Sequence, residues 1–319
     1  MPTPRDRIRA AVGHGRTEGL PRGELWLGAP VLEKAGLEDT VRGHAKFAEL
    51  LGQDMLCLPV SREPSGDDVF MYRYFPMSAL REALDTTGFF VTAVLDGPFQ
   101  RLAGKRGLME TLTAWASRRE EFLEAYQKER ADVSDLLSRC LDSGVHGIAL
   151  CDDLAGDTAT FMSPSDIENL SSSFYEGVVA QAHAAGAAAL FHSCGKIAGV
   201  IPQLVSHGFD GLAAVQHRAN DLPGLRSRYG SLAIMGGIDG ELLEREELSP
   251  ADEEGFRDLV RTLSRGGGLI LSSSCGLYAA RFLERIRALY GMVEQLHDLP
   301  NVRGVVGIIK GSERRFRNE

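Results

Sequence analysis

The chain is short of three things: long apolar runs, positive charge and cysteine. No apolar stretch reaches the roughly 18 residues needed to span a membrane, so no membrane role is expected. Met1 to Arg9 is polar and charged, without the apolar core of a secretion signal, and a cytoplasmic location is the expectation. Against 44 acids stand 35 bases, a net charge of -9, which offers no overall basic surface for neutralising phosphates; a nucleic-acid partner is not expected. The five cysteines (Cys57, Cys140, Cys151, Cys194, Cys275) are odd in number, and no two form a Cys-x-x-Cys pair. That disfavours both a disulfide framework and a zinc-finger-like staple, and 319 residues can bury a core without either. There is also no internal repeat, low-complexity linker or composition step, so one domain over residues 1–319 is expected, with 1–22 as an N-terminal extension.

What is present is an α/β rhythm of short apolar runs, polar turns and longer segments with helical spacing. Eight runs read as strands: Gly23 to Gly28, Asp54 to Val60, Phe89 to Gly97, Gly147 to Asp153, Ala188 to Gly195, Asp210 to Gln216, Leu232 to Asp239 and Gly268 to Gly276. Most are continuously apolar, as parallel strands covered on both faces must be. Leu108 to Ser117 and Glu120 to Ser143 read as a helical insertion after the third run, and Ser163-Pro164-Ser165-Asp166 opens another helix with a cap, a first-turn proline and an acid. The expected fold is therefore a (β/α)8 TIM barrel. An open doubly wound sheet ordinarily carries a glycine-rich phosphate turn after its first strand; here Gly266-Gly267-Gly268 precedes a strand and reads as a tight turn.

Barrel chemistry sits where strands end. The runs end on Asp96, Asp152 and Asp153, His192 and Cys194, Gln216 and His217, Asp239, and Cys275. In His192-Ser193-Cys194 the imidazole and thiol are two residues apart and share one side of an extended chain. With Cys275 they make a borderline-soft His/Cys/Cys set suited to Zn2+, and three protein ligands leave one position open, as in a catalytic site. Two thiolates and a neutral imidazole cancel the charge of the ion, a set better matched to ionising a bound thiol than to activating water. The thiolate is then a nucleophile for an activated methyl group. Asp152 and Asp153 either cap a helix or face the pocket. Asp96 and Asp239 either shape turns or contact substrate, whereas Cys57, Cys140 and Cys151 read as core, and the basic tail Lys310 to Arg317 as a solvated terminus.

Several segments carry a family resemblance: Arg5 to Ala11, Leu51-Gly52-Gln53-Asp54, Asp152-Asp153, Phe161-Met162-Ser163-Pro164, Phe191-His192-Ser193-Cys194-Gly195, Gly208 to Leu212, Met235-Gly236-Gly237-Ile238-Asp239 and Ser274-Cys275-Gly276-Leu277. Together they resemble the uroporphyrinogen decarboxylase superfamily, and within it the zinc-dependent, corrinoid-linked methyltransferases that pass a methyl group to a thiol such as coenzyme M. The resemblance implies zinc on His192, Cys194 and Cys275, methylcobalamin or another corrinoid presented by a partner corrinoid protein, and a small thiol substrate. Asp153, Asp96 and Asp239 stand as the catalytic candidates. The sequence departs from the decarboxylases, since it lacks their arginine-rich N-terminal motif and ends the second run Leu58-Pro59-Val60, which disfavours porphyrin decarboxylation. It departs from the methyltransferases at Gln216-His217, where an acid is usual, and this leaves the fourth zinc position to Gln216, His217 or water.

Two rivals share the barrel. One is metal-free decarboxylation or proton chemistry by Asp96 and Asp153; the other is a non-catalytic corrinoid- or metal-binding accessory protein. No Asp-x-His-x-x-Gly motif is present to supply a cobalt ligand, so any corrinoid must come from elsewhere.

Overall fold

The computed structural model describes residues 2–15, 17, 19–61 and 72–296; the basic tail lies outside them. Seven strands form one sheet: β1 (Met55–Pro59), β2 (Phe90–Asp96), β3 (Gly147–Cys151), β4 (Ala188–His192), β5 (Gly211–Val215), β6 (Ala233–Ile238) and β7 (Leu269–Ser273). They lie in chain order, each parallel to the next. Parallel neighbours require a crossover between them, and every crossover here contains helix. Leu108–Ser117 and Arg119–Asp142 are helical as expected. So is Pro164–Ala184, capped by the Ser163 hydroxyl, which accepts from the Asp166 N–H.

The strands read as continuous apolar runs because both faces are covered. Along β4, Phe191 packs in an outer cluster with the helices, while Leu190 joins an inner cluster with Met55, Phe90, Ala149, Ala213, Met235 and Ile270. Met55 on β1 and Ile270 on β7 share that cluster because the sheet curls. The helix Pro4–Val12, started by a reciprocal Thr3–Asp6 capping box, inserts Ile8 and Ala11 into it. Arg5 ties this helix to the Thr87 and Phe89 carbonyls, just before β2, so it covers the N-terminal end of the curl.

The first expected strand, Gly23 to Gly28, differs. It forms isolated bridges, Arg22 with Leu271 and Leu27 with Leu277, in place of a ladder. The segment nevertheless bonds to both sheet edges. Leu271 N donates to Pro21 O (2.8 Å) and Gly23 N to Leu271 O (3.1 Å), while Asp54 N donates to Arg22 O (2.8 Å) just before β1. A continuing parallel ladder would next pair Ser273 N–H with a backbone carbonyl. Instead that N–H donates to the Glu24 carboxylate at 3.1 and 3.2 Å, and the register slips by one residue before Leu27. Glu24 also accepts from the Ser273 hydroxyl and from Tyr290 Oη at 3.0 Å. A buried side chain has taken the place of one rung.

Glu24 is 3% exposed, and burial pushes its carboxyl up from 4.5 to about 7 despite these donors. Unfolded, the same group releases its proton near 4.5, so between the two values the folded state binds more protons and stability declines as pH rises. Glu24→Gln abolishes this titration. Between pH 4 and pH 8 the wild type is expected to lose about 3 kcal/mol more unfolding free energy than the variant, measured by urea denaturation. Parallel pH profiles for the two proteins would refute the assignment.

Candidate metal centre

The parallel register brings the reactive groups together. Asp96 on β2 pairs with Cys151 on β3, and Cys151 pairs with His192 on β4. Two residues further on, Asp153 and Cys194 follow Cys151 and His192 beyond the strand ends.

His192 is 2% exposed, with Nδ1 2.8 Å from Ala213 O. Only an Nδ1–H can donate there, so the tautomer leaves a lone pair on Nε2. The carbonyl is in place because β5 is irregular: the register shifts between Ala213 and Val215, and Ala214 has φ 51°. An alanine in the left-handed region is costly, and such a bulge re-aims the backbone. Here it turns two successive alanines toward the inner cluster and presents Ala213 O to the imidazole.

His192 Nε2 lies 3.6 Å from Cys194 Sγ and 3.6 Å from Asp153 Oδ1. Among the described residues, Asp153, His192 and Cys194 form the group whose possible ligand atoms all lie within 4.8 Å of one another. Burial pushes the imidazole down, keeping it neutral. Burial, the Asp153 carboxylate and Cys275 push the Cys194 thiol up. The site thus gathers a nitrogen lone pair, a thiol and a carboxylate, a donor set that fits a borderline-soft divalent cation.

Cys275 lies outside that group. Its thiol donates to Gly276 O at 3.3 Å, and burial, with Glu24, Asp239 and Glu244, pushes it up to about 12. Its carbonyl accepts from Tyr72 Oη at 2.6 Å. Trp26 joins the two sides of the site, edge-on to His192 with ring centroids 4.6 Å apart and stacked with Tyr72 at 6.0 Å.

The adjacent acids have separate roles. Asp152 is fully buried and accepts from Gln100 N (2.9 Å) and Tyr175 Oη (2.9 Å). It caps the helix Pro98–Arg106, whose own N-cap, Gly97, has no side chain. A Cβ on Gly97 would sit 2.4 Å from the Asp152 carboxyl carbon, so the glycine makes room for a cap supplied from another strand. Asp153 faces the cluster and accepts from Cys194 N at 2.7 Å.

Asp96 accepts from Tyr74 Oη at 2.8 Å. Asp239 accepts from Arg218 N at 2.8 Å and, with His217, lines a separate cleft of about 290 Å³ against the helix Pro250–Ser264. Gln216 Oε1 is engaged by Gly195 N at 2.9 Å. Sequence reasoning missed Glu24, Trp26, Tyr72, Tyr74 and Asn220. A glutamate inside an otherwise apolar strand run was the available signal for the first; the others contribute through side-chain contacts that spacing does not encode.

A family model for Uroporphyrinogen decarboxylase (URO-D) matches residues 72–296, well over half of the chain. The chain belongs to the uroporphyrinogen decarboxylase family. No curated protein matches its sequence. A solved methyltransferase from Methanosarcina mazei is 14% identical, with a TM-score of 0.70 over 92% of this chain and 99% of that one. A putative vitamin-B12 independent methionine synthase from Listeria monocytogenes is 12% identical, with a TM-score of 0.52 over 88% and 99% of the two chains. At these identities the likeness is one of fold, and it places this uroporphyrinogen decarboxylase family member among parallel α/β folds.

Asp152→Ala removes a helix cap and the carboxylate partner of the buried Tyr175 hydroxyl, so a loss of about 2 kcal/mol or more is expected in urea denaturation. Asp153→Ala, at the partly exposed cluster, should cost less than about 1 kcal/mol. Equal losses would contradict this division of roles.

Proposed function

We propose that the protein is a zinc-dependent methyltransferase, moving a methyl group from a methylated corrinoid on a partner protein to a small thiol. In this reading His192, Cys194 and Cys275 hold the zinc. The observation that carries it is the His192 tether: Nδ1–H is committed to Ala213 O, and Nε2 presents its lone pair beside Cys194 Sγ. An imidazole whose other nitrogen bonds a backbone carbonyl is the usual state of a metal-binding histidine. The M. mazei neighbour is a methyltransferase, which supports the reaction class.

When bound, zinc would supply the charge that ionises a coordinated thiol, whose free pKa of about 8.5 leaves it mostly protonated at neutral pH. The chain's own residues do the rest. Ala213 fixes the histidine tautomer, Asp153 holds the Cys194 amide, and Trp26 closes one side of the imidazole against water. Joining the group would cost Cys275 Sγ its hydrogen bond to Gly276 O. Asp96, anchored by Tyr74, and Asp239 at the neighbouring cleft are proposed to hold the polar ends of the substrates. In the transfer a sulfur–carbon bond forms, the thiol proton leaves, and the electron pair of the broken cobalt–carbon bond stays with the corrinoid.

The segment Gly23 to Gly28 is proposed as the first of eight barrel strands, residues 1–319 as one domain, and the cytoplasm as the location. No helix among the described residues is long and apolar enough to cross a membrane.

Protein purified without chelator is expected to carry close to one zinc per chain by elemental analysis. His192→Ala, Cys194→Ser and Cys275→Ser should each weaken zinc binding by about 100-fold or more and abolish methyl transfer from methylcobalamin to thiols. Metal-free protein that still transfers methyl groups would sink the proposal; carbon dioxide release from acidic substrates after chelation would favour the rival use of Asp96 and Asp153.

A further inference from the structure

We infer that Gln216 and Asn220 are positioning residues that clamp the Gly195 peptide and so hold the Cys194 thiol against His192 Nε2. This inference rests on the metal-site reading above.

Strand β4 ends at His192, so nothing in the sheet ladder fixes the residues after it. Yet the backbone N–H groups from Cys194 to Ile197 each have an acceptor. Cys194 N donates to Asp153 Oδ1 (2.7 Å), Gly195 N to Gln216 Oε1 (2.9 Å), Lys196 N to Gly156 O (2.9 Å) and Ile197 N to Asn220 Oδ1 (3.1 Å). Asn220 Nδ2 also donates to Gly195 O (2.9 Å) and to Gln216 O (3.2 Å). The N–H and C=O of Gly195 are therefore gripped by two side chains from one short turn.

Gly195 can be gripped because it is glycine. Its φ is +76°, and a Cβ there would lie 2.3 Å from Gly156 O. Asn220 is 3% exposed, and its bonding pattern fixes which end is oxygen: one atom accepts from an N–H, the other donates to two carbonyls. Gln216 is oriented by one such bond, its Oε1 accepting the Gly195 N–H. Both residues follow β5, the strand whose bulge holds His192 through Ala213. One strand and its following turn thus position both halves of the His192–Cys194 pair. Side-chain clamps of this kind around a metal ligand commonly alter metal affinity by about 10–100-fold.

The test uses Gln216→Ala and Gln216→Glu in the full chain, with Co2+ as the metal probe. Amide hydrogen exchange is read at Gly195 in metal-free protein, and Co2+ affinity with the visible and thiolate charge-transfer absorption in loaded protein. Gln216→Ala should speed Gly195 exchange at least about tenfold and weaken Co2+ binding by about 10–100-fold, with the melting temperature of the metal-free protein little changed. Gln216→Glu keeps an acceptor at the same place and should restore both readouts to within a few-fold of wild type. Unchanged exchange and affinity in Gln216→Ala overturn the clamp. So does Gln216→Glu binding Co2+ more tightly than wild type with an altered spectrum, because position 216 would then be a ligand. If wild-type protein takes up no Co2+, the metal reading fails, and the clamp is decided by Gly195 exchange together with the Cys194 alkylation rate: faster in Gln216→Ala upholds it, equal rates overturn it.

Discussion

The hydrogen bond from His192 Nδ1 to Ala213 O ties the candidate centre to the sheet. It sets the tautomer, the ring plane and the direction of the Nε2 lone pair. It exists because β5 accepts a bulge at Ala214, a conformation that L-residues resist. A regular β5 would follow the ladder at this point, and the imidazole would have no carbonyl at this height. The surrounding arrangement follows from that bond. Cys194 lies beside the free nitrogen, Asp153 bridges the Cys194 amide and the imidazole edge, and Trp26 packs edge-on against the ring.

Around this point the polypeptide separates acids that are adjacent in the chain or alike in type. Asp152 and Asp153 follow directly after β3 and meet different partners. One caps a helix through the space left by Gly97, and the other meets the donor cluster. Glu24 replaces a backbone rung at the edge of β7, where its burial makes the fold less stable as pH rises. None of these three carboxylates is interchangeable with another, although all sit at or near strand ends.

Much of this was legible beforehand. Continuous apolar runs marked β1 to β7 because parallel strands are buried on both faces, and Ser163-Pro164 marked a helix start because an N-cap and a first-turn proline are local requirements. The His192–Cys194 pair was legible because alternation alone puts residues two apart on one side. The division between Asp152 and Asp153 was not, since either could face the pocket until the register and the Gly97 gap were known. Nor was it legible that Gly195, 21 residues away, donates its N–H to Gln216 Oε1, because nothing local encodes that contact.

The sequence by itself determined the alternating order of strands and helices and the histidine–thiol pair, because periodicity, capping and short spacing are local properties of the chain. Tertiary structure alone decided which carboxylate joins that pair, how Glu24 interrupts the edge pairing, and that Cys275 stands outside the group. Those outcomes depend on a one-residue slip at Glu24, a bulge at Ala214 and a turn at Gly195. Each is a small backbone displacement whose consequence is felt by residues far away in sequence, and no local pattern encodes it.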